Sequence, residues 1–302
     1  MERVALVGLG AIGAGYASRF VEAGIDLRVL ADAGRRARYA GQPTVVNGRR
    51  YDFEFSDGSD GPADLAVVAV KRAALDEAIE LLRPCVTGRT VVLSLLNGID
   101  SEEVLAAAFP QATVLLAVSV GIDAVRENRE VRFSSLGRIV FGEPANPGPH
   151  AEAVAETSDL LARAGIEAVV PQDMVHELWW KWLINVGVNQ VSALIRAPYR
   201  VLQDRANPAR AVMIAAQREV MAVANARGVS LDESDLNRWL GVLDGLGPDN
   251  YTSMAQDALA GRSTEVDSFA GTVVRLGAEL GVDVPVNTVL YGLLKGAEAV
   301  LS

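Results

Sequence analysis

The chain of 302 residues contains only three lysines, Lys71, Lys181 and Lys295, and Lys181 stands in a strongly apolar setting. It sits in the run Glu177-Leu178-Trp179-Trp180-Lys181-Trp182-Leu183-Ile184-Asn185-Val186-Gly187-Val188-Asn189. Lys181, Asn185 and Asn189 are spaced four apart, which places them on one face of a helix whose other positions are fit for burial. An ammonium and two amides in such a helix need partners. The carbonyl or carboxylate of a small molecule at a cleft would supply them. A protonated lysine there can stabilise a developing alkoxide and then give it a proton. The ordinary alternative is an i,i+4 pair of Lys181 with Glu177, with the asparagines bonded to neighbouring helices. From this helix alone both stay open.

A second chemical signal opens the chain. Gly8-Leu9-Gly10-Ala11-Ile12-Gly13 is a G-x-G-x-x-G placed between an apolar strand at 4–7 and a helix at 11–23. In that context Gly8 permits a tight turn, Gly10 lets the backbone approach a pyrophosphate, and Gly13 lets helix and strand pack closely. The helix start offers N–H groups and a positive dipole end to phosphates. Gly8, Leu9, Gly10, Ala11, Ile12 and Gly13 are therefore the candidate cofactor-binding turn. Asp32 follows about 20 positions on, at the end of a second strand, where a carboxylate binds the ribose 2′-hydroxyl of NAD and repels a 2′-phosphate. Arg35, Arg36 and Arg38 lie close behind and could meet such a phosphate, so the cofactor is NADP or NAD, with Asp32 leaning to NAD.

Positioning these groups requires an α/β half and a helical half. Strands at 4–7, 27–30, 64–70, 90–95 and 113–118 alternate with helices at 11–23, 73–82 and 102–108, the pattern of a Rossmann-type, mostly parallel sheet. A hairpin of strands 131–133 and 138–141, turning at Ser134-Ser135-Leu136-Gly137, extends it. One more helix and a strand at 167–170 close the first domain, residues 1–172. Helical spacing then dominates through 175–194, 209–227, 231–243, 254–260, 265–280 and 288–301, with Gly228 and Gly281 as helix stops. Residues 173–302 read as an all-helical second domain, and a homodimer formed through it is compatible with this organisation.

Composition narrows the partners. The net charge is −10 and the pI about 4.8, so phosphate backbones and anionic lipid are repelled and no nucleic-acid partner is expected. No apolar run approaches the roughly 18–20 residues that span a bilayer. The N-terminus enters a strand directly, without the layout of a signal peptide, and Cys85 is a single cysteine. These features lead us to expect a cytoplasmic protein. His150 and His176 have no metal-ligand spacing.

Taken in order, the motifs resemble those of the ketopantoate reductase (2-dehydropantoate 2-reductase) family across nearly the whole chain. They are the Gly8 turn, Val70-Lys71, Leu96-Asn97-Gly98, the Glu177-to-Asn189 helix, Ser253-Met254-x-x-Asp257 and Thr264-Glu265-Val266-Asp267. The resemblance implies NADPH-dependent reduction of 2-dehydropantoate to (R)-pantoate, a step of pantothenate synthesis. By position Lys181 resembles the family's general acid and Glu265 the carboxylate that orients it. Asn97 resembles the residue between nicotinamide and substrate, and Lys71 a neighbour of the cofactor. Asn185, Asn189, Asn250 and Ser253 resemble the polar groups that bind substrate; by default Ser253 is a helix-start residue. Two departures stand out: Asp32 where NADPH-using members often have arginine, and Val118-Ser119-Val120-Gly121-Ile122-Asp123 in place of a hydroxyl-rich stretch. A β-hydroxyacid dehydrogenase relative and a non-catalytic NAD(P)-binding sensor are the competing readings.

Overall fold

Short apolar runs at the chain's start form β1 (Arg3–Val7) and β2 (Asp26–Leu30), and the pattern continues through a ten-stranded, mostly parallel sheet. The other strands are β3 (Thr44–Val46), β4 (Arg49–Tyr51), β5 (Phe55–Ser56), β6 (Leu65–Val68), β7 (Val91–Ser94), β8 (Thr113–Glu127), β9 (Glu130–Gly142) and β10 (Glu167–Val169). Their order is β4-β3-β9-β8-β7-β6-β1-β2-β5, with β10 also paired to β9. This computed structural model describes residues 1–300. The chain divides into one unit, Met1–Leu178, and a second that begins at Trp179.

In the first unit, helices cover both sheet faces: α1 (Ala11–Glu22), α2 (Ala33–Tyr39), α3 (Leu75–Leu82), α4 (Ser101–Ala108) and α5 (Ala151–Arg163). Successive strand residues point to opposite faces. Val4 and Leu6 join Tyr16 and Phe20 of α1 in one core, whereas Ala5 and Val7 join Leu75, Leu82 and Leu105 in the other. Every residue of β6 and β7 is buried, as a strand covered on both faces requires. Chain reversal about β1, with β2 on one side and β6 on the other, makes a switch point at the C-terminal edge of these strands.

The expected hairpin at 131–141 is corrected. Both segments belong to the single strand β9, which runs antiparallel to β8 and turns at Asn128-Arg129, where Asn128 has φ +54°. The Ser135 hydroxyl accepts the Gly137 N–H at 2.9 Å and Gly137 takes φ +59°. The polar run thereby absorbs a bulge opposite Asp123 and Ala124 instead of reversing the chain. The β3–β4 hairpin, turned by Asn47 and Gly48 at φ +46° and +79°, carries an Asn-Gly signal that the sequence reading passed over.

The second unit is helical. α6 (Met174–Ile195) enters it, followed by α7 (Tyr199–Gln203), α8 (Pro208–Ala226), α9 (Glu233–Gly245), α10 (Ser253–Leu259), α11 (Thr272–Leu280) and α12 (Pro285–Ala299). Gly228 and Gly281 take φ +86° and +68° past the helix ends, as expected of stops. The helix expected over 265–280 starts later: Glu265 lies in a bend, and Asp267–Gly271 form a π-helical turn before α11. The expected helix end at Leu301 lies outside the described residues. Among the described residues no helix is long and apolar enough to cross a membrane.

A Cβ on Gly13 would overlap the Gly8 carbonyl oxygen. Gly13→Ala is therefore expected to lose about 1–3 kcal/mol in urea unfolding, because α1 must lift from β1; an unchanged midpoint would contradict that contact.

Candidate active site

The Gly8 turn has the shape its sequence predicts. Gly8 takes φ +102°, and a Cβ there would overlap the Ala69 carbonyl oxygen at the end of β6. Gly10 is the exposed N-cap residue of α1, has no side chain with which to cap it, and a Cβ there would meet nothing closer than 4.0 Å. The first-turn N–H groups of α1 thus face an open approach suited to phosphate oxygens. Leu9 is buried in the core and can contribute only backbone, and Ala11 and Ile12 are half-buried.

Asp32, Lys71 and Asn97 follow β2, β6 and β7, so with Gly8 they lie along one edge of four adjacent parallel strands. Asn97 is half-buried and precedes Gly98 at φ +116°; Lys71 is exposed at the start of a short 3-10 turn. Asp32 caps α2, accepting the Arg35 N–H at 2.8 Å, and this bond holds its carboxyl below the usual range. Arg35 is further tied to Glu77 at 3.0 Å and Arg36 to Asp57 at 3.2 Å.

Behind the Asn97 loop lies a group that sequence reasoning missed. Glu102, in the first turn of α4, is 5% exposed. Its Oε2 accepts the Ser101 hydroxyl at 2.8 Å, Ser101 Oγ lies 2.7 Å from Ser94 Oγ, and Ser94 Oγ receives a long bond (3.4 Å) from the Leu96 N–H. Burial pushes the Glu102 carboxyl up to about 7 against the Ser101 bond. In sequence it is indistinguishable from any acid at a helix start.

In the second unit Lys181, Asn185 and Asn189 share a face of α6, with the two amides almost fully buried. Lys181 is partly exposed along its length, but desolvation lowers its ammonium to about 8. It makes no ion pair or hydrogen bond among the described residues, so the ordinary pair with Glu177 is absent. The remaining candidate residues lie on segments fastened to α6. Ser192 Oγ is 2.7 Å from Thr252 Oγ1, which anchors the segment carrying Asn250 and Ser253. Thr252 caps α10, so Ser253 is not the cap and its hydroxyl is not consumed there; both Asn250 and Ser253 are exposed. The Trp182 Nε1–H donates to the Ser268 carbonyl at 3.0 Å, and the Ala270 N–H donates to Gln190 Oε1 at 3.0 Å. These bonds hold the π-helical turn that follows Glu265.

A glycine turn at a switch point suits a dinucleotide, and a desolvated lysine on a polar helix face suits a negative oxygen, the parts a nicotinamide-dependent oxidoreductase needs. Two family models match in tandem: ketopantoate reductase PanE/ApbA over residues 4–146 and ketopantoate reductase PanE/ApbA C terminal over 173–298. A 2-dehydropantoate 2-reductase of Pyrobaculum aerophilum is 30% identical over 297 residues, 97% of each chain. The crystal structure of a PanE/ApbA family ketopantoate reductase from Ralstonia eutropha matches with TM-score 0.84 and 27% identity, over 99% of both chains. A D-mandelate dehydrogenase bound to NADH and anilino(oxo)acetate shares the fold at TM-score 0.88 and 21% identity, again over 99% of both. The chain belongs to the ketopantoate reductase family, and it is an NAD(P)-dependent 2-oxo acid reductase.

The Glu102 carboxyl, at about 7 when folded, exceeds its ordinary 4.5. The unfolded chain therefore ionises first, and stability falls as pH rises from 4.5 to 7, by on the order of 3 kcal/mol for this group. Glu102→Gln stays neutral and lacks that loss. Its stability relative to the parent should rise by about this amount between pH 5 and pH 8 in urea unfolding.

Proposed function

We propose that the protein reduces the ketone of 2-dehydropantoate, or of a closely related branched 2-oxo acid, with NADH as the preferred cofactor and Lys181 as the proton donor. The observation that carries this reading is the Lys181 ammonium, desolvated and without a counter-ion among the described residues, on the same face as two buried asparagines. A charge left unpaired in such surroundings suits a ligand that brings its own negative or developing negative oxygen.

The residues present fit a nicotinamide dinucleotide: the Gly8–Gly13 turn and the start of α1 for its phosphates, Asp32 for its ribose, Lys71 and Asn97 along the same strand edge. When bound, it supplies the hydride. Lys181 then holds the ketone oxygen and delivers the proton, Glu265 orients the lysine, and Asn185, Asn189, Asn250 and Ser253 bind the carboxylate and hydroxyl groups of the substrate. Preference for NADH rests on Asp32, ionised at neutral pH, and on Arg35 and Arg36, whose charges are already answered by Glu77 and Asp57. A 2′-phosphate would meet a carboxylate and few uncommitted cations.

Steady-state turnover of NADH and NADPH with 2-dehydropantoate, phenylglyoxylate and a 3-oxo acid tests the reading. It predicts the highest kcat/KM with 2-dehydropantoate; preference for the 3-oxo acid would place the chain with β-hydroxyacid dehydrogenases, and binding without turnover would make it a sensor. Lys181→Met should cost roughly 10²–10⁴-fold in kcat with NADH affinity unchanged. Because the protonated lysine is the donor, reduction should be level below pH 8 and fall about tenfold per unit above it. A lysine at its ordinary value would keep the profile flat to beyond pH 10. Asp32→Ala should shift the NADPH-to-NADH affinity ratio about tenfold toward NADPH in fluorescence titration.

A further inference from the structure

Glu265 is flanked by two residues that the C-terminal helix holds. Glu298 on α12 accepts both the backbone N–H of Thr264, at 2.7 Å, and its hydroxyl, at 2.6 Å, through the same Oε1. On the other flank, Asp267 accepts the Tyr291 hydroxyl and the Lys295 ammonium, each at 3.0 Å. Lys295 also lies 3.5 Å from Glu298, so one lysine joins the two anchors. Tyr291, Lys295 and Glu298 recur at four and then three positions, the spacing that aligns side chains on one helix face. From the opposite side α6 grips the same turn through Trp182 and Gln190.

An isolated acid on an exposed helix end is ordinarily a solvated group, and Lys295 by itself reads the same way. Here the Glu298 side chain is only 19% exposed and is spent on a backbone N–H that lies outside any helix. Thr264 precedes the bend, the π-helical ring closes from the Gly271 N–H to the Val266 carbonyl at 3.0 Å, and Glu265 sits between. A π-helical turn is an uncommon conformation found often at functional sites. Glu265 lies just before this turn, between Thr264 and Asp267, and α12 holds both, so its backbone has a set position rather than a frayed one.

We infer that Glu298, braced by Lys295, is a positioning residue that fixes the backbone at Thr264 and thereby aims the Glu265 carboxylate. The inference rests on the reading of Glu265 as the partner of the proton-donating lysine, and it adds a reason for the C-terminal helix to affect turnover without touching substrate.

The test uses the full-length protein with NADH and 2-dehydropantoate. Glu298→Ala should lower kcat on the order of tenfold, with little change in NADH affinity, since small misplacements of a catalytic group are costly. Glu298→Gln, which keeps an acceptor for Thr264, should recover kcat to within about twofold. The Thr264 amide should exchange its hydrogen about tenfold faster in Glu298→Ala alone. In a Glu265→Gln background Glu298→Ala should add less than about twofold, because the two act as a unit. If Glu298→Ala does not fold, Lys295→Ala carries the test, with a smaller loss of kcat and faster Thr264 exchange expected. Glu298→Ala with parental kcat beside an impaired Glu265→Gln overturns the clamp alone. Glu265→Gln with parental kcat overturns the role of Glu265, and the clamp's role in turnover with it.

Discussion

Keeping an ammonium desolvated without a counter-ion is the constraint on which the helical unit depends. Water would stabilise the charged form of Lys181, and a carboxylate placed against it would raise its pKa; neither effect offsets the loss of hydration, and the ammonium falls to about 8. Such a charge is costly, so the helix that carries it must not relax away from the arrangement. The tryptophans around it provide that rigidity. Trp179 and Trp182 meet edge to face at 5.3 Å, the Trp180 Nε1–H donates to the Asp235 carbonyl at 3.0 Å, and the Arg238 guanidinium lies over the Trp180 ring at 3.8 Å. Each indole buries apolar area, and Trp180 and Trp182 also fix their polar ends, which holds α6 in place.

The first unit meets a different constraint, the close approach of backbone to backbone. Two glycines, Gly8 and Gly13, allow α1 to start directly against β1, and this contact leaves the N–H groups of the helix start facing outward. Burial acts on this unit's titratable groups as it does on Lys181, but with opposite sign. The Glu102 carboxyl rises to about 7 while the lysine falls, because a low-dielectric surrounding disfavours whichever form is charged. Glu102 has the Ser101 hydroxyl and backbone N–H groups to satisfy it and no cation; Lys181 has no described partner at all. A satisfied buried acid belongs to the scaffold of a loop, whereas a desolvated, half-buried cation without a described partner is open to a ligand.

Sequence by itself determined a good deal. Periodicity located β1, β2, β6 and β7 and most helices of the second unit, because burial on both sheet faces and on one helix stripe leaves an unambiguous apolar pattern. The four-residue spacing placed Lys181, Asn185 and Asn189 on one face, and the glycine turn needed only its flanking strand and helix. Local signals failed where long-range partners decide. Ser134 to Gly137 looked like a turn, yet pairing with β8 over its whole length made it a bulge within β9. Glu265 looked like a helix residue, yet it lies in a bend, and Glu298, 33 positions later in sequence, takes the neighbouring backbone N–H. Whether Lys181 pairs with Glu177 was open in the sequence, since spacing permits the contact without requiring it. Only the folded chain withholds the partner and packs enough protein near the ammonium to desolvate it, because desolvation is a property of everything packed near a charge and not of the residues beside it in the sequence.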